Sequence, residues 1–133
     1  MAGLCAAKTA IEAGARVLVL EKAYQPGGTT RLSDGVFNAC DPKRQYPLDI
    51  HDSPERHFQD VMEQGRGKSH PKLLRAYTYG AQETFSWLEH LGFKFDDRVT
   101  QEAGTLYPRC HKPLEGGGAS YIEFLLSVLS SSL

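Results

Sequence analysis

Glu21 closes a four-residue apolar run, Val17-Leu18-Val19-Leu20, and stands 18 positions beyond Gly3. A carboxylate at the end of a buried strand accepts hydrogen bonds from both hydroxyls of an adenosine ribose, and its charge disfavours a 2′-phosphate. Gly3, in Ala2-Gly3-Leu4 at the head of an Ala-rich stretch, fits the last glycine of a phosphate-binding fingerprint, whose acidic residue follows about 20 positions on. Lys22 comes next, and soon after it Gly27-Gly28-Thr29-Thr30-Arg31-Leu32-Ser33-Asp34-Gly35. Paired glycines let backbone amides approach a ligand, and small hydroxyl side chains donate to phosphate or ring acceptors. A flexible surface turn would also suit Pro26-Gly27-Gly28. Position argues for the ligand, because the segment begins where a dinucleotide held at Glu21 would extend. These residues describe a dinucleotide-binding segment that begins inside its own phosphate loop, with only the third glycine present.

Such residues must be carried by strands and helices. Leu4, Ala7 and Ile11 recur at helical spacing, which predicts a helix over residues 3–13 that Gly14 ends. Arg16 to Leu20 reads as a buried strand, too apolar for a half-exposed one and typical of a parallel sheet. Residues 22–52 read mostly as loop, anchored by Val36-Phe37. Ser53-Pro54-Glu55 starts a helix with a hydroxyl cap, a proline and an acid in its first turn. Phe58, Val61 and Met62 supply its buried face, and Gly65 and Gly67 end it. The longest helix runs from about Pro71 to Leu91 on a stripe of Leu74, Tyr77, Ala81, Phe85, Leu88 and Leu91, closed by Gly92. Phe93-Lys94-Phe95 alternates like a short strand. Residues 96–118 are again loop. A last helix from about Ser120 carries Tyr121, Phe124, Leu125 and Val128, and its Ser130-Ser131-Ser132-Leu133 tail reads as an interrupted element or an altered frame.

The totals exclude several classes. The 133 residues are 41% hydrophobic and 23% charged with a net charge of −1, which suits one globular domain and lacks a nucleic-acid footprint. Cys5, Cys40 and Cys110 show neither CxxC nor metal-ligand spacing and read as free thiols of a reducing compartment. No apolar run reaches the ~20 residues of a membrane span. The N-terminus lacks a basic start, and Glu12 and Arg16 interrupt its apolar stretch, so it is not a signal peptide. The cytoplasm remains the default compartment. No strand–nucleophile–helix elbow is present, so no catalytic residue and no metal ligand is assigned. His51, His57, His70 and His90 read as solvated, and His111 as a loop histidine without a partner.

Ala2-Gly3-Leu4, Val17 to Lys22, Gly27-Gly28-Thr29-Thr30, Gly35-Val36-Phe37-Asn38-Ala39 and Asp52-Ser53-Pro54-Glu55 together resemble the fumarate reductase/succinate dehydrogenase flavoprotein superfamily. The resemblance is to its soluble branch of flavocytochrome-type fumarate reductases, urocanate reductases and 3-ketosteroid dehydrogenases. His111-Lys112-Pro113 before Gly116-Gly117-Gly118 is similar to the family's His-Arg-Pro and glycine-rich turn. The resemblance implies FAD, with Glu21 on the adenosine ribose and Gly3 beside the pyrophosphate. It further implies Thr29, Thr30, Ser33, Asp34 and Gly35 along the cofactor, although Asp34 departs from the small residue usual there. Tyr107 and Arg109 are candidates for the flavin's substrate side. The implied fold is α/β, a Rossmann-like FAD-binding domain with a parallel sheet and flanking helices, truncated at both ends with its first strand missing. Residues 1–40 would be the dinucleotide-binding remnant and flavin loop, 53–92 a helical insertion, and 93–133 the return toward a capping domain. The implied activity is hydride transfer between flavin and an activated C–C double bond on a small-molecule substrate of the full-length parent. A 3-ketosteroid dehydrogenase-type fragment, or a non-catalytic product acting only with a partner chain, are the alternatives. The isolated chain is expected to fold poorly and to hold FAD weakly or not at all, since the phosphate loop is incomplete.

Overall fold

The computed structural model describes residues 1–102 and 104–131; the last two residues of the serine-rich tail, Ser132 and Leu133, lie outside them. The chain divides into two compact units, Met1–Val36 with Pro113–Leu133, and Phe37–Lys112.

In the first unit, helix α1 spans Ala2–Glu12 and buries Leu4 and Ala7. Gly14 follows with φ +81°, a left-handed residue that stops the helix. A short helix, α2, spans Gly28–Arg31. Helix α6 spans Gly118–Ser130 and buries Tyr121, Ile122 and Leu125 on one stripe, starting slightly earlier than Ser120. Both α1 and α2 pack on α6.

Residues 16–20 correct the predicted strand. They form no ladder, and Leu18 and Leu20 are 82% and 84% exposed. A strand is defined by its neighbours' hydrogen bonds, and a parallel neighbour requires a crossover connection of a dozen or more residues. Among the described residues no strand lies beside this segment, so the expected parallel sheet is not formed.

The second unit holds the sheet that is present, a two-stranded antiparallel pair. Strand β1 (Phe37–Asn38) lies against β2 (Cys110–His111), with Phe37 opposite His111 and Asn38 opposite Cys110. The pairing continues where the Ala39 N–H donates to the Arg109 carbonyl at 3.1 Å, and Thr100 bridges Cys110 from the other side. Helix α3 (Pro42–Gln45) and a 3-10 turn (Tyr46–Leu48) interrupt the predicted loop. They follow Asp41, whose carboxylate accepts the Lys43 N–H at 3.2 Å and caps α3.

Helix α4 (Pro54–Gln64) begins as the sequence predicts, with Ser53 Oγ accepting the Arg56 N–H at 3.1 Å. Helix α5 (Pro71–Leu91) ends at Gly92, φ +104°. Its buried stripe is Leu74, Thr78, Ala81, Phe85 and Leu88; Tyr77 is exposed instead, Thr78 taking its place on the inner face. Phe93 and Phe95 are buried on either side of exposed Lys94, and Phe85 stacks on Phe95 with centroids 4.1 Å apart. Phe37 and Phe93 add edge contacts to Phe95 at 6.1 and 4.9 Å. Such pairs contribute about 0.5–1.5 kcal/mol each beyond their buried area.

Candidate cofactor-binding site

Every sequence-predicted cofactor residue falls in the first unit. Ala2 and Gly3 form the first turn of α1, both exposed, and a Cβ added at Gly3 would meet nothing within 4 Å. The first N–H groups of a helix have no intrahelical acceptor and face outward with a partial positive charge. The turn therefore presents open backbone donors, although no packing against Gly3 explains its lack of a side chain.

Glu21 is exposed at the end of the extended segment, and its Oε1 accepts the Ala23 N–H at 2.9 Å, which turns the chain away from the run. Together with Leu4, Ala7, Ile11, Val17 and Val19 it lines an apolar cleft of about 320 Å³. Residues 17, 19 and 21 face one side, as an extended backbone requires, so the carboxylate shares a cleft with α1. Lys22 is exposed.

The glycine-rich segment divides into an open and a closed half. Gly28 (φ +53°) has open space where a Cβ would sit, and Thr29 is exposed. Gly27, Arg31 and Thr30 instead face α6. A Cβ on Gly27 would lie 3.2 Å from Ile122, and Arg31 pairs with Glu123 at 3.1 Å. The Ser33 hydroxyl donates to the Thr30 carbonyl at 2.8 Å and accepts the Gly35 N–H at 3.3 Å. Asp34 is exposed, and Gly35 is buried with φ +74°. The loop thus offers Gly28, Thr29 and Asp34 outward, while Ser33 and Gly35 hold its shape.

In the second unit the buried charged residues are engaged with one another. Arg109 is 2% exposed and forks onto Asp52 with two bonds of 2.8 Å, and it pairs with Asp60 at 2.7 Å. Burial works against the Asp52 carboxylate's charge, but the Arg109 hydrogen bonds and charge prevail and hold its pKa below the usual range. A second cluster joins Arg44 to Asp41 and Glu89, each at 2.7 Å.

His111 is fully buried on β2, its Nε2 3.1 Å from the Ala39 carbonyl, so it is a strand residue and not a loop one. Burial pushes its pKa down. His57 corrects another expectation: it is buried in α4 against the Tyr77 ring, and burial, then the nearby Arg109 charge, lower its pKa to about 4. His51, His70 and His90 are exposed, and His70 caps α5. Sequence reasoning passed over the Arg109–Asp52–Asp60 cluster. Arg109, a sequence candidate for the flavin's substrate side, is instead buried in this cluster, and its partners lie 57 and 49 positions away, too far for spacing to show the pairing.

Among the described residues no helix is long and apolar enough to cross a membrane. A family model described as an FAD binding domain matches residues 1–122. The chain belongs to that family. As an FAD-binding domain it is 35% identical over 115 residues to the NADH:fumarate oxidoreductase of Klebsiella pneumoniae (strain 342), covering 86% of this chain and 12% of that protein. The open conformation of a flavocytochrome c3 fumarate reductase superposes on 98% of this chain and 23% of its own, with a TM-score of 0.89 and 30% identity. The 3-ketosteroid-delta4-(5alpha)-dehydrogenase of Rhodococcus jostii RHA1 matches over 98% of this chain and 34% of its own, TM-score 0.83, and at 24% identity shares the fold. The chain thus spans a minor part of the relatives it matches.

Proposed function

We propose that this chain is the FAD-binding portion of a larger flavoprotein oxidoreductase of the fumarate reductase type. In this reading residues 1–40 hold the cofactor, residues 53–92 are a helical insertion, and 93–133 return toward a capping domain. The observation that supports it most is the family match over residues 1–122 coinciding with a cleft that gathers Glu21 and α1. FAD, when bound, supplies hydride transfer to or from an activated C–C double bond of a small molecule.

The chain's own residues bind and orient. The Glu21 carboxylate accepts from the adenosine ribose hydroxyls, and the first turn of α1 at Ala2 and Gly3 faces the pyrophosphate with its free N–H groups. Lys22 adds a positive charge near the same phosphates. Gly27, Gly28, Thr29 and Thr30 carry the chain along the cofactor, and Ser33, Asp34 and Gly35 border its flavin end.

Titration of FAD into the chain, followed by flavin fluorescence, tests this. Binding is expected to be weak, and Glu21→Ala is expected to raise the dissociation constant about tenfold, the worth of a single charge-assisted hydrogen bond. Equal affinity of the two proteins would remove Glu21 from the site. In the full-length parent, the reductase reading requires that fumarate or a related alkene reoxidise the reduced flavin.

A further inference from the structure

The geometry points to Tyr121, backed by Gly117 and Gly118, as the positioning residue of the loop that borders the flavin end of the cofactor. The inference rests on the proposed role of residues 27–35 and concerns what holds them in shape. Tyr121 is buried in α6, and its hydroxyl donates to the Gly35 carbonyl at 2.8 Å across 86 positions of sequence. One turn earlier, the Gly118 N–H donates to the Ser33 carbonyl, also at 2.8 Å. The backbones meet here with no room between them. A Cβ on Gly35 would lie 2.7 Å from Gly117 C and Gly118 N, one on Gly117 would lie 2.8 Å from Ser33 O, and one on Gly118 would overlap the Thr30 carbonyl.

Three glycines on two distant segments thus permit a contact that any side chain would block. The remaining anchors of the segment also come from the same turns of α6: Ile122 under Gly27 and Glu123 on Arg31. The Arg31–Glu123 pair is solvent-exposed on the Glu123 side and contributes little. The buried hydroxyl is different. Without it the Gly35 carbonyl loses its donor in a site that water does not readily reach. The exposed half of the loop, Gly28 and Thr29, then depends on a closed half fixed by Tyr121.

Tyr121→Phe keeps the ring and its packing while removing the bond, so folded chains can be compared. Three variants of the 133-residue chain are measured for FAD affinity and for amide exchange. Tyr121→Phe is expected to weaken FAD about tenfold and to speed exchange at residues 33–36 by at least about tenfold. Amides of α5 around Phe85 and Leu88 exchange as in the wild type. Gly118→Ala produces the same pattern more strongly, and Glu123→Ala changes both readouts by less than about twofold. A Tyr121→Phe chain with wild-type exchange at residues 33–36 overturns the proposal, as does wild-type FAD affinity despite faster exchange. A purely structural tyrosine would lower stability everywhere and leave the ratio of local to α5 exchange unchanged. If the wild-type chain takes up no FAD on its own, the affinity comparison is read in the longer parent protein, and the exchange comparison decides the positioning role in this chain.

Discussion

Single residues in the second unit set its response to substitution and to pH. Arg109 hydrogen-bonds Asp52 and ion-pairs with Asp60 at once in a buried site. Arg109→Ala leaves a buried carboxylate without its counter-charge and is expected to cost about 3–5 kcal/mol in urea unfolding. Arg109→Lys keeps the charge but not the fork and should fall between. His57 gives the pH dependence. Its pKa near 4 in the folded chain lies below the ordinary value near 6.5, so the unfolded chain binds its proton first. Stability from this group is therefore complete above pH ~6.5 and is lost as pH falls toward 4, by roughly 3 kcal/mol at most. His111, also lowered by burial, adds loss in the same direction. Asp52, held low by Arg109, contributes its stability in full above the ordinary carboxylate range and loses it only as pH falls through that range and below, at lower pH than the histidines. Urea midpoints at pH 7.5 and 4.5 are expected to differ, and His57→Gln to reduce the difference without abolishing it. An undiminished difference would shift the whole effect to His111.

At the scale of elements, what the sequence discloses depends on how local the cause is. Helix α4 is legible because its cap, proline and first acid are adjacent, and Ser53→Ala is expected to cost about 1 kcal/mol, checked by the same urea titration. Helix α5 is legible for its length and for Gly92. Gly80 in its interior has no neighbour within 4 Å of an added Cβ, so Gly80→Ala is expected to stabilise by roughly 0.5–1 kcal/mol. Helices α2 and α3, four residues each, are too short to show a period. The run Val17 to Leu20 has the composition of a strand, but its hydrogen bonds belong to a partner that composition does not name. His57 was misjudged on residue type alone, although it lies four positions before Val61 on the inner side of α4. In the candidate site, the Glu21 and glycine spacings were legible, while the contact of Tyr121 with Gly35 spans 86 positions and required the fold.

For the whole molecule, the two units differ in how fully they cover their apolar groups. The Phe37–Lys112 unit buries a stacked aromatic core and two paired ion clusters. The other unit leaves Leu18 and Leu20 exposed along an extended stretch with no strand beside it among the described residues, and Tyr24 and Leu32 exposed in the turns that follow. Backbone segments without ladder bonds open at little cost, and proteases act on the opened population. Trypsin is therefore expected to cut after Arg16 and Lys22 well before it cuts at Lys72 or Arg75 in α5. The same digestion reports on the cofactor. Glu21 and Lys22 adjoin the proposed ribose and phosphate contacts, so saturating FAD is expected to slow the Lys22 cut while leaving the rate of cutting in α5 unchanged. Protection at Lys22 that survives Glu21→Ala would argue for a phosphate contact held by α1 and Lys22 alone. No protection at any FAD concentration would mean that this extended segment carries no cofactor in the isolated chain, whatever it does within a longer protein.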